Sequence, residues 1–148
     1  MAETIDTAEE SRAARVIWSI LRIVFGVVPV VAGLDKFTNL LVQWEKYIAP
    51  IFASMLPFSG RTFMYIVGII EILAGLGVLA TRWTRAFALI VGIWLLCVAT
   101  DLLLGGFYDI AVRDVVMAIS AFCLARLSAV VRSRAVGRAV EIGPVAAQ

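Results

Sequence analysis

Arg22-Ile-Val-Phe-Gly-Val-Val-Pro-Val-Val-Ala-Gly-Leu-Asp-Lys36 is the stretch that decides the fold. It lies in an apolar run from Val16 to Leu34, and a bilayer crossing takes about 20 residues at ~1.5 Å each. The run nevertheless contains an arginine and ends on an Asp35-Lys36 pair. Charge in hydrocarbon costs roughly 2.5–3.5 kcal/mol per residue on insertion scales, so each of these groups must be paired or reach the interface. Arg22, Gly26, Pro29 and Gly33 recur at i, i+4, i+7 and i+11, which puts them on one helical face. That face is polar at one end and small along its length, the kind of surface that meets neighbouring helices in a membrane. The first span is therefore expected to be the spine of a bundle.

Composition points the same way. The 148 residues are 62% hydrophobic and 16% charged, with mean hydropathy +0.99, which indicates a polytopic membrane protein rather than a soluble domain. The expectation is a single membrane domain over 1–148. The sequence has no histidine, which removes histidine-ligated haem, the usual copper and zinc sites and histidine base chemistry from this chain. No metal site is expected, and nothing suggests nucleic-acid binding. Cys97 and Cys123 occupy separate apolar runs without Cys-x-x-Cys spacing, so they read as buried, reduced small hydrophobes. Glu3, Asp6, Glu9 and Glu10 precede the first run in place of a basic signal-peptide region, and the first helix is expected to be retained.

Outward from that run, four spans are predicted, at about 16–34, 62–80, 86–104 and 110–129. Thr7-Ala-Glu-Glu10 fits a capping box that would start the first helix near Ala8, leaving 1–7 and 140–148 as flexible tails. In the long connection, Thr38–Ile48 carries Leu40, Leu41, Trp44, Tyr47 and Ile48 on one side, which predicts an interfacial helix with Trp44 and Tyr47 at headgroup level. Pro50 and Pro57 bracket a segment too short to span, which either dips into the membrane or caps the bundle. Gly68, Glu71 and Gly75 share a face of the second span, and Ile90, Trp94, Cys97 and Asp101 a face of the third. Asp114, Ala118, Ala121 and Ala125 form a small-residue stripe on the fourth. Asp109 is the expected N-cap of that helix, and Gly137 its expected end. The fold class is therefore all-α, an integral membrane four-helix bundle with an interfacial helical segment between helices 1 and 2.

Orientation follows from the basic residues. Arg12, Arg15, Arg82, Arg85, Arg126, Arg132, Arg134 and Arg138 fall on one side, eight against the four of Lys36, Lys46, Arg61 and Arg113 on the other. The positive-inside rule places both termini in the cytoplasm.

Depth estimates bring Arg22 and Glu71 within reach of each other, either as an ion pair pinning two helices or as part of a ligand or proton site. Asp35, Lys36, Asp101, Arg113 and Asp114 fall in the opposite, outer layer, as an interfacial network or as the lining of a pocket. Trp83 and Trp94 read as anchors or packing.

Arg22-x3-Gly26 with Gly33-x2-Lys36, followed by Glu71-x3-Gly75 and the aliphatic-glycine run Ala74–Leu79, resembles the DoxX-type family of small four-helix membrane proteins over about residues 15–130. The resemblance implies a bundle in the bacterial cytoplasmic membrane, associated with redox systems such as quinone-linked sulfur oxidation or oxidant defence, with Arg22, Lys36 and Glu71 as the matching polar positions. Three functions remain in order: an accessory, mainly structural subunit of a larger membrane redox complex; a quinone-interacting oxidoreductase component fed with electrons by a partner subunit; and a small proton-coupled transporter using Glu71. The chain alone is expected to bind no cofactor, with a quinone or lipid as the possible ligand, and membrane lipids and other membrane-protein subunits as partners.

Overall fold

Two close backbone crossings set the architecture. In the computed structural model, a Cβ added at Gly33 would stand 2.5 Å from the Gly68 carbonyl oxygen, and one at Gly75 would stand 2.5 Å from that of Gly26. Only glycine permits such an approach. Gly26 and Gly33 lie on α1 (Ala2–Thr38), and Gly68 and Gly75 on α3 (Gly60–Leu79). Seven residues forward on one helix match seven backward on the other, so the pair is antiparallel in fixed register. A second hairpin joins α4 (Thr84–Leu104) to α5 (Tyr108–Ile142). The two pairs meet along α1–α5 and α3–α4, closing a four-helix bundle. The structure describes residues 2–80 and 82–142, with side chains over 9–80 and 82–133.

All four long helices are apolar enough to cross a membrane, over Glu9–Thr38, Gly60–Leu79, Thr84–Leu104 and Tyr108–Ser133. The chain is thus a multi-pass membrane protein. Its interior is apolar and mostly small: Phe25, Ala74, Val78, Ala88, Val91, Ala121, Leu124 and Ala125 form the buried centre. Ala118 and Ala121 are completely buried on the small-residue stripe of α5, as its spacing suggests. Outward-facing valine, isoleucine and leucine cover the rest, Ile20, Ile23 and Leu73 among them.

Helix ends depart from the sequence expectations in several places. α1 is helical from Ala2, so the Thr7 box lies inside the helix rather than capping it near Ala8. The tail expected over 1–7 is helical from Ala2 onward. α5 continues through Gly137 to Ile142, because one glycine costs only about 1 kcal/mol and its neighbours are good helix formers. Residues 143–148 of the expected tail lie outside the described residues. Asp109 sits in the first turn of α5 rather than at its cap. The reason is the preceding turn, where Phe107 N–H bonds Leu102 O at 2.9 Å and Gly106 N–H bonds Leu103 O at 3.2 Å. With Gly106 at φ +82°, this is a Schellman termination of α4 that places Phe107 directly before the helix.

The connection between α1 and α3 is not one interfacial helix over Thr38–Ile48. α1 runs to Thr38 and stops at Asn39, whose φ of 53° is left-handed. A 3-10 turn at Trp44–Tyr47 and the six-residue α2 (Pro50–Met55) follow. They form a strap across one end of the bundle, in which Ile48 and Ala49 are buried while Leu40 and Leu41 are exposed. α1 and α5, of 37 and 35 residues, are about 50 Å long and outreach a hydrocarbon layer of ~30 Å. Both overhang the opposite end, where the Trp18 indole donates to Ser128 Oγ at 2.8 Å.

Candidate functional site

The glycine register determines which charges meet. With Gly26 opposite Gly75, Arg22 falls opposite Leu79, at the last turn of α3. Four carbonyls at a helix C-terminus have no intrahelical donor, and the helix dipole favours a cation there. Arg22 Nε donates to Val78 O at 3.2 Å, and its Nη2 donates to Leu79 O. Thr84 Oγ1, buried at the start of α4, donates to Val78 O at 3.0 Å. The Arg22 guanidinium also stands 5.1 Å from the centre of the Trp18 ring. The expected Arg22–Glu71 pair is therefore replaced. Glu71 lies eight residues short of Leu79 on α3, roughly 12 Å away in depth at ~1.5 Å per residue.

Glu71 is paired instead with Lys36. Lys36 Nζ stands 2.6 Å from Glu71 Oε2, with the two side chains 4% and 14% exposed. Both flank the Gly33–Gly68 crossing, where the missing Cβ atoms let the side chains reach across. The Lys36 ammonium also lies 3.8 Å from the centre of the Trp44 ring, a cation–π contact supplied by the strap. Asp114, 5% exposed on α5, interacts electrostatically with both Lys36 and Glu71. From α4, the Trp94 indole lies beside the Glu71 carboxylate. Its Nε1 is buried, and the nearby Glu71 carboxylate does not reach it in good hydrogen-bond geometry.

The rest of the expected outer cluster splits into separate duties. Asp35 organises the strap: its Oδ1 accepts from Leu40 N at 2.9 Å and Leu41 N at 3.0 Å, and its Oδ2 accepts from Trp44 Nε1 at 2.7 Å. Asp101 accepts from the buried Ala49 N at 2.9 Å, tying the far end of the strap to α4. Arg113, its side chain 65% exposed, pairs with its neighbour Asp114 at 3.3 Å and with no other carboxylate among the described residues. Cys97 and Cys123 are free thiols on exposed faces, which corrects the expectation that they are buried.

The centre of the site is therefore Lys36, Glu71 and Asp114, with Trp44 above and Trp94 alongside. All four long helices and the strap contribute one side chain each. Chemically, an ammonium and an indole N–H can donate to a carbonyl or hydroxyl oxygen, and Glu71 can accept or hold a proton. From sequence alone Trp44 reads as a headgroup anchor and Trp94 as an anchor or packing residue, with no place in a polar site. The available signal was the placement of Trp94 seven residues before Asp101, on the polar face of its span. Trp44 gave no comparable signal, since an interfacial tryptophan ordinarily serves as an anchor.

A sequence model of the DoxX family matches residues 17–105, more than half of the chain. The chain belongs to the DoxX family. The DoxX match contains Arg22, Asp35, Lys36, Glu71, Trp94 and Asp101, while Arg113 and Asp114 on α5 lie beyond it. No curated protein and no solved structure matches the chain significantly.

Proposed function

We propose that this DoxX protein is an accessory subunit of a larger redox assembly in the bacterial cytoplasmic membrane, mainly structural, with both termini in the cytoplasm. The observation that carries this reading is the use made of the interior charges. Arg22 closes the end of α3, Asp35 and Asp101 hold the two ends of the strap, and Lys36 is neutralised by Glu71. Charges committed in this way fix helices relative to one another and make a rigid platform. A chain without histidine, whose two cysteines sit on separate helices, leaves electron storage to a partner subunit. The overhanging ends of α1 and α5 offer that partner a contact beyond the bilayer. Purification in a mild detergent, followed by mass analysis of the intact particle, tests the proposal. Stoichiometric co-purification of a cofactor-bearing subunit is expected; an isolated chain with full redox activity refutes it.

A second reading is favoured by the buried N–H of Trp94, whose neighbouring acceptor, Glu71, leaves it poorly satisfied. An unsatisfied buried donor costs about 1–3 kcal/mol and calls for an acceptor. In this reading Trp94 and Lys36 donate to a quinone headgroup, Glu71 exchanges protons with it, and electrons come from a partner. The quinone supplies the two-electron redox chemistry. Trp94→Phe should then lower the quinone retained per purified chain at least about fivefold, while the assembly stays intact. Equal retention rules this reading out and leaves the structural one standing.

A further inference from the structure

The Lys36–Glu71 pair is closed off by the strap, whose hydrogen bonds to the long helices lie at two places, with a partly exposed Glu45–Arg61 ion pair at 4.0 Å to α3 between them. At its α1 end, Asp35 takes the Leu40 and Leu41 amides and the Trp44 indole. At its α2 end, Asp101 takes the Ala49 amide. Between these anchors, Trp44 lies face-on to the Lys36 ammonium at 3.8 Å, with Lys36 only 5% exposed. Neighbouring contacts are few. Asn39 reaches Glu45 at 3.2 Å, Tyr47 packs edge-on against Phe107 at 4.9 Å, and Leu40 and Leu41 are 84% and 69% exposed. Ile48 and Ala49 beyond them are buried, but residues 40–47 include no fully buried side chain, and such a stretch opens at less cost than the helices beneath it.

We propose that the strap is a gate over the buried charge pair, with Trp44 as its leaf and Asp35 as its latch. Opening breaks the indole hydrogen bond to Asp35 and one cation–π contact, and leaves the Asp35 bonds to the Leu40 and Leu41 amides and the Asp101 bond to the Ala49 amide in place. It exposes Lys36 and Glu71 to molecules arriving from the membrane interface, without parting α1 from α3. The gate rests on the polar site described above, and it holds whether that site takes a quinone or another ligand with a polar head.

The sequence supplies an unusually clean test, because it has only two lysines, Lys36 and Lys46. Lys36 lies under Trp44, and Lys46 is exposed on the strap itself. The intact protein in detergent micelles is treated with a water-soluble amine-acylating reagent, and the modification rate of each lysine is followed by peptide mass spectrometry. In the parent, Lys36 should react at least tenfold more slowly than Lys46. Trp44→Ala should raise the Lys36 rate at least tenfold while the Lys46 rate and helical content stay unchanged. If Trp44→Ala fails to fold, Trp44→Phe carries the test: it loses the indole hydrogen bond to Asp35 and keeps a ring, and should raise the Lys36 rate about threefold. Equal rates for the two lysines in the parent overturn the gate. So does a Lys36 that stays protected in a folded Trp44 variant. The assay uses no quinone, so its failure is separate from failure of the quinone reading.

Discussion

Replacing Lys36 and Glu71 singly and together should separate a buried ion pair from two independent charges. Lys36→Met removes the ammonium and leaves Glu71, 14% exposed, beside Asp114. Breaking a buried pair by removing one partner costs about 3–5 kcal/mol, and loss of the Trp44 contact adds about 0.5–2 kcal/mol. Glu71→Leu should fall at the lower end of the pair cost, near 3 kcal/mol, because Lys36 keeps the Trp44 ring and has Asp114 within electrostatic range. The double variant puts two apolar side chains of similar volume at the crossing, an exchange that is often close to neutral. The coupling between the sites, taken from the double-mutant cycle, should therefore reach about 3 kcal/mol, roughly a hundredfold in the unfolding equilibrium. The measurement is loss of helical circular dichroism as SDS is titrated into dodecyl maltoside micelles, for the parent and all three variants. If the two single effects simply add in the double variant, within about 0.5 kcal/mol, the ion pair does not exist and the helix register described here is wrong.

Three further outcomes follow from the same register. Gly33→Val should destabilise the protein by about 1–3 kcal/mol or more, since overpacking has that cost and the new Cβ would stand 2.5 Å from the Gly68 carbonyl; a parent-like SDS midpoint would contradict the crossing. Arg22→Met should cost about 1–3 kcal/mol by removing the side-chain donor of Leu79 O and leaving Val78 O to Thr84 alone, whereas Arg22→Met combined with Glu71→Leu should show no coupling; a rescue in that double variant would restore an Arg22–Glu71 pair. Cys97→Ala with Cys123→Ala should leave yield and melting within about 0.5 kcal/mol of the parent, because both thiols are exposed and unpaired; loss of the folded protein on size-exclusion chromatography would assign them a structural role.

Much of the fold was legible in the sequence because a bilayer imposes strict length and polarity rules. Apolar runs of about 20 residues identified four spans, and the seven-residue glycine spacings on the first and second spans marked the faces that pack. The aspartate–alanine stripe on the fourth span likewise predicted its buried side. Helix ends were less legible. A capping box at Thr7 and a glycine at position 137 are local signals, and a long helix of otherwise favourable residues runs through both. Thr38–Ile48 is a left-handed stop and a 3-10 turn rather than the expected interfacial helix, because its apolar spacing fits both a helix and a chain pinned by side-chain hydrogen bonds.

The polar site divides along the same line. That Arg22, Lys36 and Glu71 are the groups a membrane interior must satisfy is a property of the sequence alone, since each stands in or at the edge of an apolar run. Which of them pair is a property of register. Glu71 has two candidate cations on α1, separated by fourteen residues, and span boundaries uncertain by a few residues shift the facing position by a whole turn. The close contacts at Gly26–Gly75 and Gly33–Gly68 remove that freedom. They set Arg22 against the open carbonyls of α3 and bring Lys36 to Glu71. The chain encodes the charges, and tertiary packing at two glycine crossings chooses their partners.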